Sequence, residues 1–241
     1  MIIRERADEF VMIEQHDHAA LSGDMARNLK KKLYGDSKIE EVILAAYEHD
    51  RSWIALDDTP IWNDKAQAPY SFVDYPLMPK LALYKLGLDE IEKLNAYAGL
   101  ICSMHFCSFF QEAAQPECCT AFLRGEKLRQ NNILNGLVNR RDEMISMHLK
   151  ILQFCDRLSL YVCLNEPGAD KENEHAWYRS GIAASEFVTG RANQTAMARW
   201  TDMRHISVTP FPFHQPFQIR LKYKAVSKEA IAAHGLDQAY R

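Results

Sequence analysis

Five histidine and aspartate residues in this 241-residue chain have side chains that bind transition metals, and they are spread over four predicted helices. They are His18, His49, Asp50, His105 and Asp156. Imidazole nitrogen and carboxylate oxygen together suit manganese, iron, nickel, cobalt and zinc. The five residues could form one metal site only if helical periodicity turns them toward the same interior.

Each of the five continues the apolar face of its own helix, because residues three or four apart share a helix face. The apolar residues on these faces are Leu21, Met25 and Leu29; Val42, Ile43 and Ala46; Leu94, Ala98 and Ile101; and Ile145, Leu149 and Leu152. A buried carboxylate without a cation is strongly unfavourable, and lysine and arginine are scarce on these faces. The pattern therefore predicts a divalent ion that neutralises Asp50 and Asp156, with imidazoles completing the ligand shell.

His16 is an alternative to His18 as the first ligand. The two lie about 200° apart around a helix that contains both, and the start of that helix is uncertain by about two to four residues. His16 and His105 are also candidates for a position behind the ligands or for a second metal. Taken singly, each candidate could equally be a hydrogen-bonded core histidine, a helix cap or a surface residue, so the metal prediction depends on the whole set.

The elements that must position these residues are mainly helical. We predict helices over five ranges, 18–33, 38–53, 89–114, 117–130 and 141–164. Asp36 or Ser37 can cap the second of them. Prolines at positions 60, 69, 76 and 79 forbid a continuous helix over 57–80. We expect an ordered irregular segment there, and long ordered loops are often functional.

The two ends of the chain have strand-like patterns. Residues 1–14 contain two short apolar runs, and "ISVTPFPF" and "FQIRLKYKAV" lie near the other end. The last alternates strictly, with Phe217, Ile219, Leu221 and Tyr223 on one face, which is typical of a half-buried strand. We therefore expect one mainly α domain over 1–241. It would have a helical core over 15–165 and a small sheet built from 1–14 and 200–230.

Aromatic residues are frequent in and just before the irregular segment. They are Trp53, Trp62, Tyr70, Phe72 and Tyr75. They could form a pocket wall that accepts a planar group, or a second patch of hydrophobic core. Both interpretations agree with the sequence.

Composition excludes several classes of protein. The formal net charge of −3 argues against non-specific nucleic-acid binding. No apolar run approaches the roughly 18 residues that a membrane helix needs, and "MIIRERADEF" lacks the apolar core of a signal peptide. We therefore expect a cytoplasmic protein with no membrane partner. The six cysteines form no C-x-x-C pair, which indicates reduced, buried thiols.

The pattern of His18, His49–Asp50 and Asp156 resembles the H…HD…D signature of the HD-domain superfamily of helical metal-dependent phosphohydrolases. "ILAAYEHD" resembles the superfamily's apolar run into HD, and "FCDRLSLYVC" resembles its final helix. His105 falls where larger members have an extra histidine that can recruit a second metal. The order "QHDHA…HD…DRLSL" is also similar to a bacterial family catalogued only as a domain of unknown function. A strand ending in "HDH" resembles metal-dependent amidohydrolases as well, but these need an eight-stranded barrel, and the middle of this chain is predicted helical.

The first resemblance implies an HD-like helical bundle with one or two divalent transition-metal ions. It also implies hydrolysis of a nucleotide or other small phosphorylated substrate, with Asp50 and His105 as catalytic residues. Many members continue as HD-x-G-K, whereas this chain has "HDRSW" and lacks the lysine that often contacts substrate. A metal- or ligand-binding module without catalysis, and a plain helical interaction protein, remain alternatives.

Overall fold

The computed structural model describes residues 1–35, 38–110, 116–138 and 140–241. The predicted caps Asp36 and Ser37 lie outside these ranges. The helices are α1 (Gln15–Asn28), α2 (Ile39–Glu48), α3 (Ile54–Asp57), α4 (Leu77–Leu94), α5 (Ala96–Cys107), α6 (Glu117–Gly136), α7 (Asp142–Leu164), α8 (Glu186–Thr189), α9 (Lys228–His234) and α10 (Leu236–Tyr240). The mainly α class is confirmed. Within the described ranges, no helix combines the length and apolarity needed to cross a membrane.

Four helices, α1, α2, α5 and α7, surround the centre of the core. Helices α2 and α7 contact each other, and both α1 and α5 pack against this pair. Most residues on the predicted apolar faces are buried, and Leu21, Ala46, Ile101 and Leu152 are each at most 1% exposed, although Leu149 is only half-buried. Each of these four helices therefore carries its candidate ligand on, or directly after, a buried face.

The predicted helix over 89–114 is two helices in its described part, with a 3-10 turn at Ser108–Phe110 after α5, and its last residues, 111–114, lie outside the described ranges. Asn95 separates α4 from α5 with an extended backbone, and its side chain caps α5 by accepting a hydrogen bond from the backbone N–H of Ala98. The break changes the phase of the apolar face, so Leu94 is exposed instead of buried. Helix α4 also begins at Leu77, inside the segment predicted to be irregular. Pro79 is tolerated there because the first turn of a helix needs no N–H donor at that position.

The other helix boundaries differ by a few residues. Helix α1 begins before His16 and ends at Asn28, and a single 3-10 turn follows at Lys31–Leu33. Helix α2 ends at Glu48, so His49 and Asp50 lie in the turn between it and a 3-10 turn at Arg51–Trp53. The predicted helix over 38–53 was therefore too long at its C-terminal end.

The strands are short. They are β1 (Ile2–Glu5), β2 (Glu9–Ile13), β3 (Trp62–Asn63), β4 (Ala68–Pro69), β5 (Met197–Trp200), β6 (Ile206–Thr209) and β7 (Lys224–Ser227). An antiparallel sheet of order β1-β2-β7 joins the two ends of the chain, with Phe10 opposite Val226. Strands β3 and β4 form a small hairpin, and β5 and β6 form another.

Two predictions for the C-terminal strands were wrong. The "ISVT" segment pairs with β5 in a separate hairpin instead of joining the terminal sheet. Residues 217–223 are not paired in a ladder. Their alternation is still visible in burial, because Phe217, Ile219 and Leu221 are half-buried, although Tyr223 is exposed. Alternation indicates an extended backbone lying on the core, and it does not require a hydrogen-bonded neighbour.

Candidate metal centre

Three buried side chains from α1, the end of α2 and α7 converge at the centre of the helical core. The Nε2 atom of His18 lies 3.3 Å from Nε2 of His49 and 3.1 Å from Oδ1 of Asp156. The Nε2 atom of His49 lies 3.4 Å from the same carboxylate oxygen. One ligand atom from each residue thus belongs to a single tight group, and this group could hold a metal ion.

Hydrogen bonds on the far side of each ring determine which nitrogen is free. The Nδ1 atom of His49 lies 2.9 Å from the carbonyl oxygen of Ala46, which can only accept, so Nδ1 carries the proton. The hydroxyl of Ser159 donates to the carbonyl of Asp156 at 2.9 Å, so it accepts from Nδ1 of His18 at 2.8 Å. In both neutral rings Nε2 therefore presents a lone pair to the group. Two lone pairs and a carboxylate oxygen facing one another require a cation.

The pKa values of His49 and Asp156 also indicate that the group attracts a positive charge. Burial disfavours a charged His49, but the carboxylates of Asp50 and Asp156 outweigh burial and raise the pKa of His49 to about 9. Burial would raise the pKa of Asp156, but His18 and His49 hold it well below its ordinary value, because an imidazole that gains a second proton at Nε2 donates it in a hydrogen bond to this carboxylate. The carboxylates therefore attract a positive charge to this position. A proton can supply that charge, and metal binding to such a site releases the proton.

The observed spacing fits a first-row transition metal. Ligand atoms bound at about 2.0–2.2 Å, with angles between octahedral and tetrahedral, lie about 2.8–3.6 Å from one another. The three separations within the tight group, 3.1, 3.3 and 3.4 Å, all fall inside this range. The mixed nitrogen and oxygen set suits manganese, iron, nickel, cobalt or zinc.

Asp50 and His105 lie beside the tight group. The Oδ2 atom of Asp50 is 3.6 Å from Nε2 of both His18 and His49, and burial raises the pKa of Asp50. The Nε2 atom of His105 lies 3.5 Å from Oδ2 of Asp156, the carboxylate oxygen outside the tight group. Burial lowers the pKa of His105 to about 3, so its ring is neutral. Its Nδ1 atom is buried without a hydrogen-bond partner among the described residues.

His16 lies outside the group. Because α1 begins at Gln15, both His16 and His18 are helical and point to opposite sides. His18 is 1% exposed and belongs to the group, whereas His16 is only half-buried and is not part of the group among the described residues. The start of one helix therefore decides between the two histidines.

A cavity of about 690 Å³ opens onto the group, and its wall includes His18, Asp50, His105 and Asp156. Of the aromatic residues predicted to form a pocket wall, Trp53 and Phe72 line this cavity. Trp62 and Tyr70 do not: Trp62 packs against Phe10, with ring centroids 6.1 Å apart, and Tyr70 packs against Tyr75 at 5.9 Å. Tyr75 in turn packs edge-on against Trp53, behind the wall, at 5.6 Å.

Two basic residues on the cavity wall were not predicted. Lys80, in the first turn of α4, and Arg157, next to Asp156 on α7, both line the cavity. The one sequence signal was the adjacency of Arg157 to Asp156, and nothing local marked Lys80. Arg51, the basic residue directly after HD, instead bonds to Glu48 and Glu90 at 2.9 and 2.7 Å and does not line the cavity.

Comparison with known families gives one match. A family model described as "Protein of unknown function (DUF3891)" matches residues 1–228. The matched segment extends from β1 through all the candidate ligands to the end of β7. Neither the curated proteins nor the solved structures contain a significant match to the chain.

Proposed function

We propose that this chain, which belongs to the DUF3891 family, is a metal-dependent phosphohydrolase of the HD-like type that acts on a nucleotide or other phosphate ester. One observation carries the proposal: the free Nε2 atoms of His18 and His49 meet a carboxylate oxygen of Asp156 beside a cavity large enough for a small molecule. Lys80 and Arg157 on the cavity wall favour an anionic substrate.

In this proposal His18, His49 and Asp156 hold the ion, and Asp50 is the fourth ligand. The Ser159 hydroxyl and the Ala46 carbonyl keep both imidazole rings in the tautomer that leaves Nε2 free. A divalent ion supplies positive charge that acidifies water and polarises a phosphoryl oxygen.

Asp50 and His105, on the cavity wall, would act on the attacking water and on the leaving group. Asp50 also borders the cavity, where its carboxylate can orient the attacking water. His105 borders the same cavity, and its neutral ring can donate a hydrogen bond from Nε2 to the oxygen of the leaving group. These two residues, rather than the residues of the tight group alone, would carry the catalytic steps.

A second candidate function is metal or ligand binding without hydrolysis. It is favoured by the turn that follows HD, because Arg51 is held at the surface by two glutamates. Ser52 is buried, and its hydroxyl has no hydrogen-bond partner among the described residues. This turn thus supplies no cation to the cavity, unlike the lysine-bearing turn of many HD hydrolases.

Metal analysis of Asp156→Ala tests the ligand assignment. The purified wild-type protein is expected to carry about one or two transition-metal ions per chain, and Asp156→Ala to lose them. Asp142→Ala is the matched control, since Asp142 lies on the same helix but is exposed and paired with Arg140. Unchanged metal content in Asp156→Ala would contradict the assignment.

A panel of phosphomonoesters and nucleotides, assayed with several added metals, separates the two candidate functions. Turnover by the wild type that is lost in Asp156→Ala supports the phosphohydrolase. Bound metal without turnover of any compound in the panel supports the binding module.

A further inference from the structure

Lys80 and Arg157 line the cavity, and neither side chain forms a salt bridge to a carboxylate in the described part of the chain. Each side chain is half-buried and donates one hydrogen bond, to a backbone carbonyl. Lys80 Nζ donates to Phe72 at 3.1 Å, and Arg157 Nη1 donates to Ala183 at 3.2 Å. An ammonium group has three N–H donors and a guanidinium five, so most of their donors remain available to a ligand.

These two cations are held in place by packed segments of the chain. The carbonyls that anchor them belong to the segments carrying Phe72 and Trp177, whose rings touch edge to face with centroids 6.4 Å apart. A partly buried cation without a counter-charge is unfavourable, and a second one in the same cavity adds repulsion. Because a hydrogen bond to the backbone already anchors each side chain, an anion that binds both loses less conformational entropy than it would with two unanchored side chains.

The charges of the cavity indicate which anion fits. A divalent ion held by neutral His18 and His49 is balanced by the two carboxylates of Asp50 and Asp156. Lys80 and Arg157 add two positive charges to this wall that no salt bridge among the described residues neutralises, although the Asp74 carboxylate acts on Lys80 from outside the lining. A phosphomonoester carries about 1.5 to 2 negative charges at pH 7, whereas a phosphodiester carries one.

We infer that Lys80 and Arg157 form a clamp that selects a phosphomonoester dianion over a diester, an inference that rests on the proposed function. Lys80 contributes a point charge and Arg157 a planar fork that can bind two phosphoryl oxygens at once. The pair would replace the lysine that is missing from "HDRSW". Its two cations come from α4 and α7, whereas that lysine would come from the turn after HD.

Equilibrium binding tests the clamp without relying on catalysis. Inorganic phosphate, methyl phosphate and dimethyl phosphate are titrated into manganese-loaded protein in a calorimeter. The wild type is expected to bind methyl phosphate at least about tenfold more tightly than dimethyl phosphate, since the extra charge strengthens the hydrogen bonds to both cations. Lys80→Gln and Arg157→Gln are each expected to weaken the binding of methyl phosphate about tenfold or more.

Matched controls distinguish the clamp from a general effect of charge. Lys85→Gln on α4 and Lys150→Gln on α7 remove exposed cations outside the cavity and should leave phosphate binding unchanged. Lys80→Arg keeps the charge and should retain most of the affinity, which a purely structural role would not predict. Metal content and the thermal midpoint of each variant confirm that the fold and the metal centre are intact.

The possible outcomes separate the clamp from the hydrolase. Wild-type affinity in Lys80→Gln and Arg157→Gln, equal affinity for the two methyl esters, or no phosphate binding by the wild type overturns the clamp, even if the protein hydrolyses an ester. Loss of phosphate binding in both variants supports the clamp, even if the wild type turns over no ester and the proposed hydrolysis fails.

Discussion

Replacing Ser159 by alanine changes the hydrogen bond that orients His18 without removing a ligand. In the wild type the Ser159 hydroxyl accepts the Nδ1 proton of His18 at 2.8 Å. Without that acceptor, the ring can move its proton to Nε2 and donate to Asp156, whose Oδ1 atom is 3.1 Å away. In that tautomer His18 makes a hydrogen bond to Asp156 in the metal-free protein, but its Nε2 atom no longer has a lone pair for a metal ion. Ser159→Ala is therefore expected to weaken metal binding.

The magnitude follows from the burial of His18. Removing the outer partner of a metal-binding histidine costs about 10–100-fold in metal affinity, which corresponds to about 1.4–2.8 kcal/mol. His18 is 1% exposed and Ser159 is fully buried, so bulk water does not reach Nδ1 to replace the hydroxyl. We therefore expect the Kd for zinc or manganese to rise toward the upper end of that range, about 100-fold.

Competition titration against a coloured chelator at fixed pH measures this Kd. Ser22→Ala is the matched control, because Ser22 is also fully buried, lies on α1, and has a hydroxyl without a partner among the described residues. The Kd of this variant is expected to stay within about twofold of the wild-type value, since Ser22 is not a hydrogen-bond partner of either histidine proposed as a ligand. A Kd for Ser159→Ala equal to that of Ser22→Ala would refute the assignment of Nε2 of His18 as the ligand atom.

Two further predictions concern stability. A Cβ atom at Gly23 would lie 2.2 Å from the ring of Tyr47, where α1 meets α2, so Gly23→Ala should lower the free energy of unfolding in urea by about 1–3 kcal/mol. A Cβ atom at Gly125, on α6, would meet open space, so Gly125→Ala should raise the free energy of unfolding by about 0.5–1 kcal/mol. Equal effects of the two glycine substitutions would contradict the packing argument. Burial lowers the pKa of His148, whose Nε2 donates to the carbonyl of Tyr34 at 2.9 Å. The folded state therefore binds fewer protons than the unfolded state below about pH 6.5, the ordinary histidine pKa, and stability falls as the pH falls through that range. Urea unfolding at pH 7.5 and pH 5 measures how far the free energy of unfolding falls on acidification. The fall should be smaller in His148→Gln than in the wild type, by up to about 1.4 kcal/mol per pH unit, and an equal fall in the two proteins would refute the contribution of His148.

The directions of the candidate ligands that lie within helices, His18, His105 and Asp156, could be predicted from the sequence because they depend only on local backbone geometry. A helix turns by a constant angle per residue, so His18 and Asp156 had to share a side with the leucines and isoleucines near them. Any compact packing of those helices buries these polar residues as well. Asparagine is a favoured N-cap, so Asn95 was a signal for the boundary between α4 and α5. The spacing of apolar residues on both sides of Asn95, including Leu94, favoured one continuous helix instead.

The choice between His16 and His18 needed the tertiary structure, because it depended on a helix start that local patterns locate only to within a few residues. The aromatic residues are a second case: Trp53 and Phe72 line the cavity, whereas Trp62 packs under the terminal sheet against Phe10. In an irregular segment no constant period relates one side chain to the next. Their directions follow from contacts with distant parts of the chain.

By itself, the sequence determined that histidine and aspartate side chains would be buried on the faces of several helices, because helical periodicity is local. Only the tertiary structure decided that Nε2 of His18 and Nε2 of His49 would meet Asp156 within 3.4 Å. It also decided that Lys80 and Arg157 would border the same cavity. The physical reason is that such meetings depend on how helices cross and where loops are anchored. Carbonyls at Phe72 and Ala183 hold these two cations, and no repeat or spacing in the sequence encodes contacts between segments so far apart.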